Sequence, residues 1–378
     1  MMTLLWTFPA IMLASIIIGW AAEVTAIYLS AGIALAVLAW LQTAPEFAVE
    51  ATIAWQQNSH LALANLTGSL RLLMGFGWPM IMFIHWYSTR KRRKNALKLG
   101  DVTLPKSFSV EAAGLLVPVV YFLVIYLKKT WSFYDGVILC SFYGFYFWLL
   151  NRQRKVGFHV DEIEDDAPEP WVVEKVRKLP GISRPLAVIG FFVVGGGVLL
   201  ITVHPFVDAL KASALALGIS EFVFIQWLAP IASEFPEKVT AFNWARRANK
   251  VPMAVVNMLS SVTSQWTLLA GLVPVVFSIS AGHAVTLELS DFQRTELLLT
   301  IAQSLLAVLF LSDLKIRDIE AMGLFTLWFV QFLMPTTREP LVVIYAIWIV
   351  FEASRLVLRG GNSFVAWKTV GAILRGRK

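Results

Sequence analysis

The chain has 378 residues, of which 57% are hydrophobic and only 15% charged, and its mean hydropathy is +0.68. A soluble domain carries about 25% charged residues, so a water-soluble globular fold is excluded. The net charge of +7 reads from its placement as a membrane-topology signal and anionic-lipid contact, not as nucleic-acid binding.

Apolar runs long enough to cross a bilayer recur along the chain. In order they fall near 3–22, 26–55, 60–86, 108–128, 132–150, 186–205, 210–244, 251–279, 293–311, 318–335 and 340–357. The first run lacks a basic leader and a small-residue cleavage site, and is read as a retained helix. The pattern predicts an all-α polytopic membrane protein of about eleven spans. Cys140 stands alone, so no disulfide framework is expected.

The basic residues predict the orientation. With Met1 outside, the connections 87–106, 151–185, 245–250 and 312–317 and the tail after 354 are cytoplasmic, and they hold 25 of the 32 Lys and Arg. That is the asymmetry of the positive-inside rule. It places the N-terminus outside and the C-terminus in the cytoplasm, and suggests a prokaryotic plasma membrane. Within 151–185 an acidic run, Asp161, Glu162, Glu164, Asp165 and Asp166, lacks the spacing and glycine of an EF-hand. It reads as a solvated linker. Trp78, Trp86, Trp131 and Trp171 fall near span ends and read as interfacial belt anchors.

The chain repeats itself. Trp40 to Val49, containing Pro45-Glu46, matches Ile231 to Thr240, containing Pro236-Glu237, 191 residues on. Ala64-Asn65-Leu66-Thr67-Gly68-Ser69 matches Val256-Asn257-Met258-Leu259-Ser260-Ser261 at an offset of 192, and Val102-Thr103-Leu104 matches Val285-Thr286-Leu287 at 183. Five spans per repeat is an odd number, so the halves must enter the membrane from opposite sides. The predicted division is a first repeat at 1–150, a linker at 151–185, a second repeat at 186–336, and an extra helix with a basic tail at 337–378.

Proline inside a span removes a backbone hydrogen bond and frees carbonyl oxygens. Freed carbonyls beside a buried carboxylate make a site for a hard cation. Glu46 and Glu50 are four residues apart and Glu234 and Glu237 three apart, each pair on one helical face. Carboxylates gathered in a low-dielectric cavity cannot all ionise without cations, so protons and metal ions compete for the same oxygens. For Glu50 and Glu234 the alternative, a place near a helix end with access to water, stays open.

These segments resemble the α-repeats of the cation/calcium exchanger superfamily, whose best-known members are sodium/calcium exchangers. That repeat carries G-T-S-x-P-E, then G-N-x-x-G-S-N-x-x-N on the next helix. The resemblance implies that Glu46 and Glu237 are the metal-binding glutamates, with Asn65, Ser69, Asn257 and Ser261 as further ligands. Thr43, Ser233, Gln42 and Gln265 are extra oxygen donors on this reading, or alternatively interhelical hydrogen-bonding groups. The implied activity is secondary antiport of Ca²⁺ or a related cation against Na⁺ or H⁺, by rocking of the first and sixth spans past spans 2, 3, 7 and 8. Gly195-Gly196-Gly197 and Gly19, Ala21 and Ala22 suit such sliding.

The departures are specific. Leu41-Gln42-Thr43 and Ala232-Ser233-Glu234 replace Gly-Thr-Ser, and Leu73 and Gln265 replace the last asparagine. Arg71 sits two residues past Ser69 and is a candidate counter-ion to a repeat glutamate, although an ideal helix turns it roughly 160° from the face of Asn65 and Ser69. With Arg71 in the site, the scaffold would carry another ion or serve as a transport-inactive sensor or partner protein. Lys238 adjoins Glu237 but points about 100° away and need not touch the site. No P-loop, Cys/His metal cluster or nucleophile elbow is present, so neither enzymatic chemistry nor a resident cofactor is expected. The partners read from the sequence are the lipid bilayer and the transported cations; it does not specify an oligomeric state.

Overall fold

The computed structural model describes residues 2–25, 38, 40–92, 101–157, 170–247 and 249–376, nearly all of them helical. The acidic run at 161–166 lies outside the described residues. Eight helices among the described residues are long and apolar enough to cross a membrane.

Helix α1 (Met2–Thr25) is followed by α2 (Ala44–Trp55) and α3 (Ser59–Leu72), which runs through a π turn at Leu73–Gly77 into α4 (Trp78–Arg92). Strand β1 (Val102–Thr103), helices α5 (Ser109–Gly114) and α6 (Leu116–Lys128), strand β2 (Thr130–Ser132) and helix α7 (Phe133–Lys155) complete the first half. A short α8 (Trp171–Arg177) leads to α9 (Ser183–Leu217). Then come α10 (Glu221–Ser233), α11 (Phe235–Ala245), and α12 (Val251–Ser264), which continues through a π turn at Gln265–Leu269 into α13 (Ala270–Ala281). Strand β3 (Thr286–Glu288), helix α14 (Asp291–Phe310), strand β4 (Lys315–Ile316), α15 (Asp318–Leu333), α16 (Arg338–Arg359) and α17 (Val365–Leu374) end the chain.

The two π turns lie 192 residues apart, the same offset as Asn65 and Asn257. The short strands, which periodicity did not predict, tie the halves together. β1 pairs antiparallel with β4, and β2 with β3. Because β1 and β2 flank α5–α6 while β3 and β4 flank α14, the helices they enclose run in opposite directions. The paired Val-Thr-Leu segments of the sequence are the starting points of these strands.

Close backbone approach brings the helices bearing the repeat motifs together. A Cβ on Gly68 would meet the Gln226 carbonyl oxygen at 1.9 Å, so α3 and α10 touch where only glycine fits. α1 packs along α9, where Gly195 lies against Ile18 and Ala14. Gly196 and Gly197 face open space instead.

Several boundaries differ from expectation. The sixth run does not end near 205: α9 continues past Pro205 to Leu217 and stops at Gly218, whose left-handed φ of 65° terminates the helix. The seventh run is two helices broken at Glu234 rather than one span from 210. Trp78 and Trp131 are not belt anchors, because each is 1% exposed and packs inside the bundle. Trp171 is exposed. The tail carries α17, which packs on α5 and α7, and Arg152 binds the carbonyls of Ile373 and Leu374 at its C-terminal end, each at 2.9 Å. A cationic side chain on the last carbonyls of a helix satisfies groups that otherwise lack partners.

Candidate ion-binding site

Pro45 and Pro236 each occupy the first turn of a helix, where a missing N–H costs nothing. The chain breaks just before them, at Thr43 and at Glu234. The following glutamates, Glu46 and Glu237, therefore sit in the first turns of α2 and α11, where the helix dipole favours a negative charge. Two proline-started helices deliver two carboxylates into the interior.

All the sequence-predicted ligands are fully buried: Thr43, Glu46, Glu50, Asn65, Ser69, Ser233, Glu234, Glu237, Asn257, Ser261 and Gln265 are each 0% exposed. Glu50 and Glu234 thus have no access to water. The Ser69 hydroxyl contacts Oε1 of both Glu46 and Glu234, joining the two halves. Gln265 Nε2 donates to Glu46 Oε2 at 2.7 Å and to Glu234 Oε1 at 3.3 Å. Glu237 and Glu50 lie within electrostatic range of Glu46. Asn65 Nδ2 donates to Glu50 Oε2 at 2.5 Å.

The outer members are tied to one another. Asn257 Nδ2 reaches Gln42 Oε1 at 3.4 Å, and Gln42 Nε2 reaches Thr240 Oγ1 at 3.1 Å. Thr43 Oγ1 donates to the Trp40 carbonyl at 2.8 Å and lies 3.5 Å from Ser264 Oγ. Ser233 is directed elsewhere, donating to the Ala229 carbonyl of its own helix at 2.9 Å.

What the cluster lacks is donors. Both oxygens of Glu237, Oε1 of Glu50, Oδ1 of Asn65 and of Asn257 and Oε1 of Gln265 are buried without a side-chain donor, and the buried Ser261 hydroxyl makes no side-chain hydrogen bond. A buried acceptor left unmatched costs about 1–3 kcal/mol, and a carboxylate more. Ser69 has one hydroxyl hydrogen for two carboxylates. Such a set of oxygen acceptors calls for a hard cation or protons. Among the described residues no three His, Cys, Asp or Glu side chains form a ready metal cage, so amide, hydroxyl and carbonyl oxygens would have to complete the shell around any carboxylate-bound ion.

Arg71 does not pair with a repeat glutamate. Its Nη2 lies 2.5 Å from Glu296 Oε2 on α14, its Nε donates to the Thr67 carbonyl at 3.0 Å, and its guanidinium lies over Trp227. The helix wheel already turned it from the Asn65–Ser69 face, and Glu296 supplies the partner on the other side. Its side chain is fully buried. Arg338 closes on the other oxygen of Glu296, and Gln226 Nε2 donates to Glu296 Oε2 at 2.9 Å.

Sequence reasoning missed Lys238. Its Nζ lies 2.6 Å from Glu234 Oε2. Measured against Glu237, its neighbour, Lys238 points away; measured against Glu234, four residues back, it lies on the same face. That spacing was the available signal.

The sodium/calcium exchanger protein family matches this chain twice, over residues 1–151 and 187–337. The chain belongs to the sodium/calcium exchanger family. It is an integral membrane protein. The chain is 32% identical to the H⁺/Ca²⁺ exchanger CAX, whose crystal structure matches with a TM-score of 0.86 over 99% of this chain and 91% of that one. The sodium-calcium exchanger NCX_Mj is 20% identical, with a TM-score of 0.57 over 88% of this chain and 97% of that one, a likeness of fold. Comparison with curated proteins gives no match.

Proposed function

We propose that this exchanger-family protein is a secondary antiporter that moves Ca²⁺ against protons by alternating access. The observation that carries the reading is the Ser69 hydroxyl set between Glu46 and Glu234, with Gln265 on the same two carboxylates. Carboxylates this close in a dry interior need positive charge beyond the one ammonium that Lys238 brings to Glu234. Ca²⁺ supplies it from one side of the cycle and protons from the other. The 32% identity to an H⁺/Ca²⁺ exchanger supports protons as the coupling ion. The altered asparagine and serine positions of the repeats speak against a full sodium set.

The architecture we assign is eleven spans in two inverted halves, 1–150 and 186–336, with a linker at 151–185 and an extra helix and tail at 337–378. Support comes from the double family match, the equal spacing of the π turns and the crossed pairing of β1 with β4 and β2 with β3. The broken pair α10–α11 accounts for one span that is too short to count as a single long helix. The concentration of Lys and Arg in alternate connections supports a cytoplasmic C-terminus. α1 and α9, packed along each other, are the pair we assign to rocking.

A transport-inactive or re-purposed scaffold would be favoured by Arg71 within the site. Its pairing with Glu296 instead supports transport. The deciding experiment is ⁴⁵Ca²⁺ uptake into proteoliposomes, driven in turn by an outward H⁺ gradient and an outward Na⁺ gradient, with Glu237→Gln as control. Uptake under the H⁺ gradient that vanishes in the variant is the expected result. Uptake under Na⁺ alone would replace the coupling ion, and none under either, from folded protein, would sink calcium exchange.

A further inference from the structure

The second proline-glutamate segment carries a charge pair that the first does not. Glu234 and Lys238 stand where the first repeat has Thr43 and Phe47 at the same 191-residue offset. One repeat thus carries a carboxylate and an ammonium four residues apart where the other carries neither. Their side chains meet: Lys238 Nζ lies 2.6 Å from Glu234 Oε2 and 3.5 Å from the Pro230 carbonyl oxygen. Glu234 is fully buried and the Lys238 side chain is 13% exposed.

The ammonium sits at the break between α10 and α11. There it takes one carboxylate oxygen and one main-chain carbonyl oxygen, the kinds of donor that an interrupted membrane helix offers to a small monovalent cation. The other oxygen of Glu234, Oε1, faces Ser69 and Gln265, and so belongs to the cluster shared with Glu46. Glu234 thus has one oxygen held by a tethered charge and one turned to the ion cluster.

We infer that Lys238 is a built-in substitute for a monovalent cation at Glu234. The ammonium is covalently attached, so this position is filled through the whole cycle and never exchanges. The consequence for transport rests on the antiport reading above: one carboxylate of the cluster needs no ion from solution, and calcium movement is independent of sodium. Lys238 is a specificity-determining residue in this sense. Deleting its charge at similar length should leave a carboxylate and a carbonyl oxygen that recruit sodium from solution.

The test reads binding, so it does not depend on calcium exchange. Wild type, Lys238→Met and the double variant Glu234→Gln/Lys238→Met are purified in sodium chloride. Their melting temperatures are then compared in sodium chloride and in N-methyl-D-glucamine chloride of equal ionic strength. Lys238→Met should melt higher in sodium, with a saturable dependence on its concentration. Wild type and the double variant should not distinguish the two cations. No sodium dependence in Lys238→Met, or an equal one in wild type, overturns the proposal. So does failure to recover folded Lys238→Met from sodium chloride when the double variant folds, because sodium should stand in for the missing ammonium. If wild type shows no ⁴⁵Ca²⁺ uptake at all while Lys238→Met gains sodium dependence, the antiport reading fails and the tethered cation stands.

Discussion

Arg71 Nη2 and Glu296 Oε2 lie 2.5 Å apart with both side chains fully buried, tying α3 to α14. Arg338, at the start of α16, binds the second oxygen of the same carboxylate. One carboxylate is therefore shared by guanidinium groups from two other helices and fastens the last long helix to the bundle that holds the carboxylate cluster. Charged groups within spans cost about 2.5–3.5 kcal/mol each on insertion scales, which explains why they occur here as a network.

Glu296→Met leaves two guanidinium groups without their carboxylate. Breaking a buried pair from one side costs about 3–5 kcal/mol, whereas replacing both partners by apolar groups of similar volume is often near neutral. The single variant should lose much of its thermal stability in detergent, and Arg71→Met/Glu296→Met should recover the part due to the fully buried Arg71, with Arg338 still lacking its carboxylate. Melting curves of the three proteins check this; equal losses in single and double variants would show that the pair is not the source.

Ser69→Ala removes the hydroxyl shared by Glu46 and Glu234. With Ser69 Oγ as an ion ligand in the bound state, loss of a charge-assisted contact of about 1.5–3 kcal/mol should weaken the apparent Ca²⁺ affinity at least about tenfold. Ser261→Ala, whose hydroxyl has no side-chain partner, should change the affinity only if that oxygen ligates the ion. Uptake measured against Ca²⁺ concentration separates the two.

The close contact of α3 and α10 predicts a sharp asymmetry between glycines. Gly68→Ala drives a methyl into the Gln226 backbone, and overpacking costs about 1–3 kcal/mol. Gly196→Ala meets nothing within 4 Å and should leave the melting temperature unchanged or slightly raised. Melting curves of the two variants decide it. Equal losses at both positions would mean that the contact of α3 with α10 is not what makes Gly68 necessary.

Protons and Ca²⁺ compete for the same carboxylate oxygens in the proposed cycle. Raising the pH on both sides together removes the competitor, so the apparent Ca²⁺ affinity should strengthen as the pH rises and weaken on return to acid. Affinity measured without a pH gradient tests this sign. A flat profile would count against proton coupling.

Much of the candidate site was legible along the chain because its parts repeat. Pro45-Glu46 and Pro236-Glu237, Asn65 and Asn257, and Ser69 and Ser261 are evident as pairs before any fold is known, since proline and buried glutamate are costly in a span and do not recur by accident at one offset. Apolar run length likewise located nearly all the long helices. It failed at Pro205 and Gly218, because hydropathy does not register where a left-handed residue ends a helix.

Partner choice was a different matter. Helical geometry turned Arg71 from the ligand face, but only packing of α3 against α14 named Glu296 as its partner, 225 residues away. Likewise Ser69 joins Glu46 to Glu234 because the start of α2 and the break between α10 and α11 meet at one hydroxyl. Composition and periodicity act within a segment, and so determined that this chain spans a membrane and which residues carry its repeat. Which charge neutralises which depends on distances between segments, and tertiary packing alone decided that.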